Sequence, residues 1–363
     1  MGRARVGPAL QPRPVSGVPW NIAISEFVEV LLKLIRLAVP VVLLPLTVVS
    51  VHAQQGRLLV TQKGDRSLAI VDPVAGKVLT SVPEGGITGH EVIASPDGRF
   101  AYVPIYGDSG VGSPGTDGSN LVVIDIATQK VVGSVDFGHG VRPHMPIFGP
   151  RDGLLYVTTE LDQSVTLIDP RTLKIIGSIP TGQAESHMLA LSHDGLRGYT
   201  ANVGPGTVSV LDIKARKTLK IIPISGNTQR ISISNDDRWV FTADQTKPQL
   251  AVIDTATNQV KIWIPLEGLG YGSAPTPDGR WLLIAVPDRN KVAVIDLKTM
   301  QVSQSVPVCS DPQEVLVRPD GKAAYVSCTG SNEVAEIDLA SWKVTRLIAT
   351  GKATDGLAWA KKH

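Results

Sequence analysis

The sequence predicts an all-β protein, a seven-bladed β-propeller of four-stranded antiparallel blades closed by its C-terminal strand joining the N-terminal blade. Three observations predict it. An apolar strand ending in aspartate recurs as LAIVD, LVVID, VTLID, VSVLD, LAVID, VAVID and VAEID, ending at Asp72, Asp125, Asp169, Asp212, Asp254, Asp296 and Asp338. Successive spacings of 53, 44, 43, 42, 42 and 42 residues match the length of one blade. The two ends of the repeat are complementary: RLLVTQ, SLAIVD and KVLTSV supply strands two to four of a blade, and the final GLAWA supplies strand one. Pairing them leaves the ring without an open join.

Residues 1–53 stand outside the repeat. Lys33 and Arg36 precede the apolar run LAVPVVLLPLTVVS, and Val51-His52-Ala53 follows with small residues at the positions a leader peptidase reads. The run is too short for a spanning helix and carries Pro40 and Pro45, so the expectation is a signal peptide cut after Ala53, a periplasmic or secreted body over 54–363 and no membrane span after the cut. The segment before the run is long for such a leader, which is also what an upstream misplaced start would give. The chain has 35 Lys+Arg against 33 Asp+Glu, but five basic and only two acidic residues lie in the leader. The body is therefore close to neutral, and net charge gives no support to nucleic-acid binding.

Within a unit, the segments EVLVR, AAYVSC, EVAEID and VTRLIAT are short, rich in β-branched residues and bounded by turn chemistry. Pro319-Asp320-Gly321 marks the first turn, echoed at Pro96-Asp97-Gly98, Pro277-Asp278-Gly279 and His193-Asp194-Gly195, with a variant at Asn235-Asp236-Asp237. The recurring Asp after the third strand accepts turn amides in this reading, a scaffold task repeated in every unit. The long first interval comes from a Gly/Ser-rich insertion, Tyr106 to Asn120, read either as a lid or as a tolerated surface loop.

HEVIASPDGRFAYVP, LLYVTTELDQSVTLIDPRTLKIIGSI and LRGYTANVGPGTVSVLDIKARKTLKII resemble the YVTN-repeat propellers, with similarity from about Arg57 to Ala360. The pattern is similar to the exported YncE-like branch, within a grouping of lactonase-like and cytochrome d1-type propellers. That resemblance implies the fold, and since the grouping holds hydrolases, haem enzymes and proteins of no known activity, it names no reaction.

Function is expected where the repeat breaks. One equivalent position per blade, just ahead of the first strand, is occupied by His90, His144, His187, Gln229, Tyr271, Gln313 and Asp355. These should ring one mouth of the central channel. Of the five histidines between the leader and His363, three fall on this ring in consecutive blades. Either they lock blade to blade by hydrogen bonds, or they form a site. As a site, His90, His144 and His187 can hold Zn²⁺ or Cu²⁺, or one can act as a general base, with His144, His187 and Glu91 the catalytic candidates. Glu91, Arg142, Glu160, Glu185, Arg230, Asp244, Arg289 and Glu314 are charged candidates on the same face, with Arg230 counted among the ligand-binding residues.

Cys309 and Cys328 are the two cysteines. Pairing around the Asp320-Gly321 turn puts Cys328 opposite Gln313, so the two readings are a bridge and two separate buried thiols. There is no CxxC, HExxH, P-loop or GxSxG. The expectation is a monomeric binding or interaction protein taking a small molecule or protein at the channel mouth. The alternatives are a metal-assisted lactonase- or lyase-type enzyme on the same arc, with Glu91 or Asp355 as its acid, and a structural, envelope-associated propeller.

Overall fold

The computed structural model describes residues 56–108 and 110–362, so the expected leader and its cut after Ala53 lie outside the described residues. The described residues form seven four-stranded antiparallel sheets, each one blade of a propeller. We number the blades from the N-terminus. Blade 1 takes its innermost strand, Thr354–Ala360, from the end of the chain and pairs it with Arg57–Gln62. Blade 3 shows the regular plan: Pro143–Phe148 innermost, then Leu155–Thr159, Ser164–Asp169 and Lys174–Pro180 outermost. Among the described residues no helix is long and apolar enough to cross a membrane.

Burial follows position in the blade. Ser164–Asp169 is buried along nearly its whole length, because blades pack on both of its faces, whereas Lys174–Pro180 at the rim buries only Ile179 fully. Among the described residues seven apolar clusters form, one between each pair of neighbouring blades. The cluster closing the ring joins Leu58, Val60 and Val71 of blade 1 to Tyr325, Val334 and Ile348 of blade 7.

The repeated aspartates do the scaffold work expected of them. Asp72 Oδ1 accepts the N–H groups of Val74 and Ala75, and Asp125, Asp169, Asp212, Asp254, Asp296 and Asp338 cap their own turns likewise. These amide bonds hold the Asp72 and Asp125 carboxyls below the usual range. In every blade the outermost strand carries one bulge against the third strand, near Ile176 in blade 3 and Leu219 in blade 4. The bulge twists the exposed edge and blunts it as a template for further strands.

Cys309 and Cys328 are joined by a disulfide. The register differs by one from expectation, since Cys328 faces Pro312 and not Gln313. The cause is an irregularity between Pro312 and Val315, which adds length to the inner strand.

Candidate functional site

The irregularity in blade 7 is one of four. The start of the inner strand is also bulged at Pro143/Pro146, at Ser186/Met188 and opposite Val60/Gln62. In the same four blades the residue two places before the ring position has positive φ: Arg142, Glu185, Asp311 and Ala353. A left-handed residue followed by a bulge re-aims the side chains that come next. That is how His144, His187 and Asp355 leave the pleat to meet the central groups, while the Gln313 amide donates to Asp311 Oδ1 at 2.7 Å.

The three histidines do come together. The rings of His90 and His144 meet edge to face at 5.5 Å, and those of His144 and His187 lie 3.5 Å apart with 30° between their planes. Tyr106, the first residue of the insertion, touches all three, at 4.6 Å from His90, 5.2 Å from His144 and 5.7 Å from His187. They sit deeper than a ring at an open mouth: His144 and His187 are each 1% exposed, while His90, Gln229, Tyr271 and Gln313 are half-buried.

The blade-locking role falls largely on the backbone of these residues. Thr61 Oγ1 of blade 1 donates to the His90 carbonyl at 2.9 Å, and Thr158 Oγ1 of blade 3 to that of His187 at 2.7 Å. Among the side chains, His187 alone has such a bond to a neighbouring blade: its Nδ1 lies 3.1 Å from Glu160 Oε2, which also accepts from the Tyr106 hydroxyl at 2.8 Å. A carboxylate can only accept, so Nδ1 carries the proton, and Nε2 accepts from the Gln229 amide at 3.3 Å. His144 Nδ1 is buried without a partner.

Burial and nearby Lys63 push His90 down to about 3; burial and the neighbouring imidazole push His144 well below its usual value. Burial also lowers His187, against the pull of Glu160. All three are neutral near pH 7, each with one donor and one acceptor nitrogen.

Beside the arc lies a charge network that spans the channel. Arg230 of blade 5 reaches Glu91 of blade 2 at 2.6 Å, Glu314 of blade 7 at 2.5 Å and Asp355 of blade 1 at 3.3 Å. Its guanidinium also sits 4.8 Å from the centre of the Tyr271 ring, and Lys63 completes the set on Asp355 at 2.9 Å. Burial pushes Glu91 well up and Glu314 up to about 7, with Arg230 opposing and the neighbouring carboxylates adding to the rise. Burial also acts to raise Asp355, but Lys63 and Arg230 together keep it below its ordinary range.

Arg142 and Glu160 join the site as expected. Arg142 pins the insertion, donating to Asp117 at 2.6 Å and to the Ser113 carbonyl at 2.7 Å. Glu185, Asp244 and Arg289 do not join it: Glu185 accepts from Gly204 N–H, Asp244 caps the Thr246 turn, and Arg289 donates to the Glu267 carbonyl. Tyr106 and Lys63 were not expected. Tyr106 is signalled only as the point where blade 2 departs from the repeat, and Lys63 has no sequence signal. Among the described residues no three His, Cys, Asp or Glu side chains are grouped to hold a metal ion. The His144 and His187 rings lie against each other with a 30° tilt, and Glu91 and Asp355 are already held by Arg230.

Residues 270–363 match a family described as YNCE-like beta-propeller, and residues 149–280 match the cytochrome D1 heme domain. Over these two segments the chain is similar to YncE-like and cytochrome d1 propellers, in keeping with its seven blades. Solved structures share this propeller's fold. Kuenenia stuttgartiensis hydrazine synthase aligns at TM-score 0.64 and 19% identity, covering 75% of this chain and 89% of that one. Dihydro-heme d1 dehydrogenase NirN in complex with DHE aligns at 0.61 and 15%, covering 84% and 75%. A functionally unknown protein from Desulfotomaculum acetoxidans aligns at 0.71 and 15%, covering 85% and 100%. No curated protein sequence matches the propeller. As placed, its residues do not fit a haem: His144 is buried and enclosed by the rings of His90, Tyr106 and His187, so it has no open face for an iron.

Proposed function

We propose that this propeller is an exported binding protein that takes a small polar ligand at the channel end where the His arc lies. The half-buried His90, Gln229, Tyr271 and Gln313 form the contact surface, with His144, His187 and the Arg230 network behind them. One observation carries the reading. Three imidazoles from consecutive blades converge on Tyr106 although the side chains of His90 and His144 make no hydrogen bond to a neighbouring blade. Neutral imidazoles, amides and a phenol offer paired donors and acceptors, which suits an uncharged or zwitterionic hydrogen-bonding molecule. Export draws support from the leader pattern and from the disulfide, which suits an oxidising compartment.

The test is long-range ¹H–¹⁵N spectroscopy of histidine-labelled protein titrated with pools of polar metabolites. We expect a ligand to move the His90 and His144 ring signals together and to lose affinity at least tenfold in His90→Ala. Ligands that shift only the surface His139 and His193 would sink the reading, as would equal affinity in the variant. Cell fractionation checks export, with the expected product beginning near residue 54.

A further inference from the structure

The rim of the propeller breaks the sevenfold symmetry at the blades that carry the His arc. Among the described residues, the outermost strands of blades 2, 3 and 4 each expose two large aliphatic side chains: Val131 and Val132, Ile175 and Ile176, Leu219 and Ile221, all 37–55% exposed. The outermost strands of blades 1, 6 and 7 expose one each, and that of blade 5 exposes Trp263 instead. Basic residues crowd the same place. Arg171, Lys174, Lys214, Arg216, Lys217 and Lys220 are all exposed on blades 3 and 4, in a body whose overall charge is close to zero. The patch is continuous: a Cβ on Gly133 of blade 2 would meet Leu173 of blade 3, and Arg216 of blade 4 donates to the Ile176 carbonyl at 3.5 Å.

Antiparallel order places this patch. The inner strands start at the His end, so the turns after the first and third strands lie at the opposite end, and the basic residues sit in or beside the latter turns. A mainly apolar cleft of about 650 Å³ opens there between blades 2 and 3, lined by Phe100, Tyr102, Phe148 and Leu173, with Val132 and Arg171 at the patch itself. Exposed aliphatic side chains, a ring of cations and a cleft wide enough for hydrocarbon are the features that hold a protein on an anionic lipid surface.

We propose that the rim of blades 2 to 4, at the end opposite the His arc, docks on an anionic phospholipid bilayer. Ile175, Ile176, Leu219 and Val132 enter the interfacial layer, the six basic side chains pair with lipid phosphates, and the cleft takes part of an acyl chain. Docking in this attitude turns the His-lined end of the channel away from the membrane. The proposal stands apart from the ligand reading, since no residue is shared.

The test uses the full chain with Ile176→Cys carrying a nitrobenzoxadiazole fluorophore; the native cysteines are bonded to each other. The exposed Ser303→Cys, at the equivalent bulge of blade 6, is the reference. On phosphatidylcholine vesicles with half phosphatidylglycerol, emission should rise and shift to the blue at position 176 and stay unchanged at 303. Vesicles of phosphatidylcholine alone should give no change. Lys214→Glu with Lys217→Glu should weaken partition at least tenfold at low salt, from roughly fivefold per charge, with the unfolding midpoint unchanged. A flat response at 176, an equal rise at both positions, or binding indifferent to lipid charge overturns the proposal. So does a rise at 176 without vesicles, which would mark a second copy of the chain on this face.

Discussion

Half-buried His90 and buried Glu84 are titratable groups whose protonation moves stability in opposite directions. The His90 value lies at about 3, below its ordinary 6.5, so between those values the unfolded chain binds the proton that the folded one refuses. Stability therefore falls as pH drops through that window. Replacing His90 by glutamine should remove about 2 kcal/mol of the acid loss between about pH 6.5 and 4, after discounting for its partial exposure. Urea midpoints across pH measure it, and parallel profiles for variant and wild type would contradict it. Glu84 is raised to about 7 by burial, with the Gly89 N–H as a partner and Oε1 without one. The folded state then holds a proton the unfolded state has released, and stability falls as pH rises from about 4.5 to 7. Glu84→Gln should stabilise by about 2–3 kcal/mol at pH 8 and by almost nothing at pH 4. The His arc was legible in the sequence because three histidines at one repeat position stand out in a count. Lys63 and Tyr106 were not, since their partners Asp355 and Glu160 come from segments far away in the chain, and Glu84 was not, since its one partner is a backbone N–H that no residue type marks.

At the scale of elements, strands and turns were legible almost throughout because their causes are local: aspartate capping, glycine turns and alternation at the rim. What escaped was the start of the inner strands, where a left-handed residue and a bulge shift the register by one. No residue type announces that geometry, as Arg142, Glu185, Asp311 and Ala353 share nothing but their φ. The shift shows at Cys328, which pairs with Pro312. The disulfide spans 19 residues and ties the loop leading into blade 7 to the second strand of that blade. Cross-linking a loop of this length contributes about 3 kcal/mol by restricting the unfolded chain. Cys309→Ser with Cys328→Ser should lower stability by about 2–3 kcal/mol. A reducing agent should lower the melting temperature of the wild type but not of the variant, and equal melting with and without reductant in both would contradict the structural role.

The described residues close into a ring, so no blade is held from one side only. Seven clusters join seven blades among the described residues, and Thr354–Ala360, paired with Arg57–Gln62, adds Leu357 to the one that closes the ring. That closing strand also brings Asp355, which engages Lys63 of blade 1 and Arg230 of blade 5, so the join and the centre of the channel depend on the same seven residues. Ending the chain at Ala353 would uncover the inner edge of Arg57–Gln62 and expose parts of two apolar clusters. It would also leave the buried Arg230 with one partner fewer. Breaking a buried ion pair costs about 3–5 kcal/mol, and losing an inner strand adds the burial of Leu357, Ala358 and Ala360. Their combined loss approaches the whole stability of an ordinary domain. The truncated chain should therefore show no cooperative transition in scanning calorimetry and should aggregate through the exposed edge. Supplying residues 354–363 as a peptide should restore a transition if closure is what was lost. A truncated chain that melts cooperatively within a few degrees of the wild type would show that blade 1 is held by its neighbours without the closing strand.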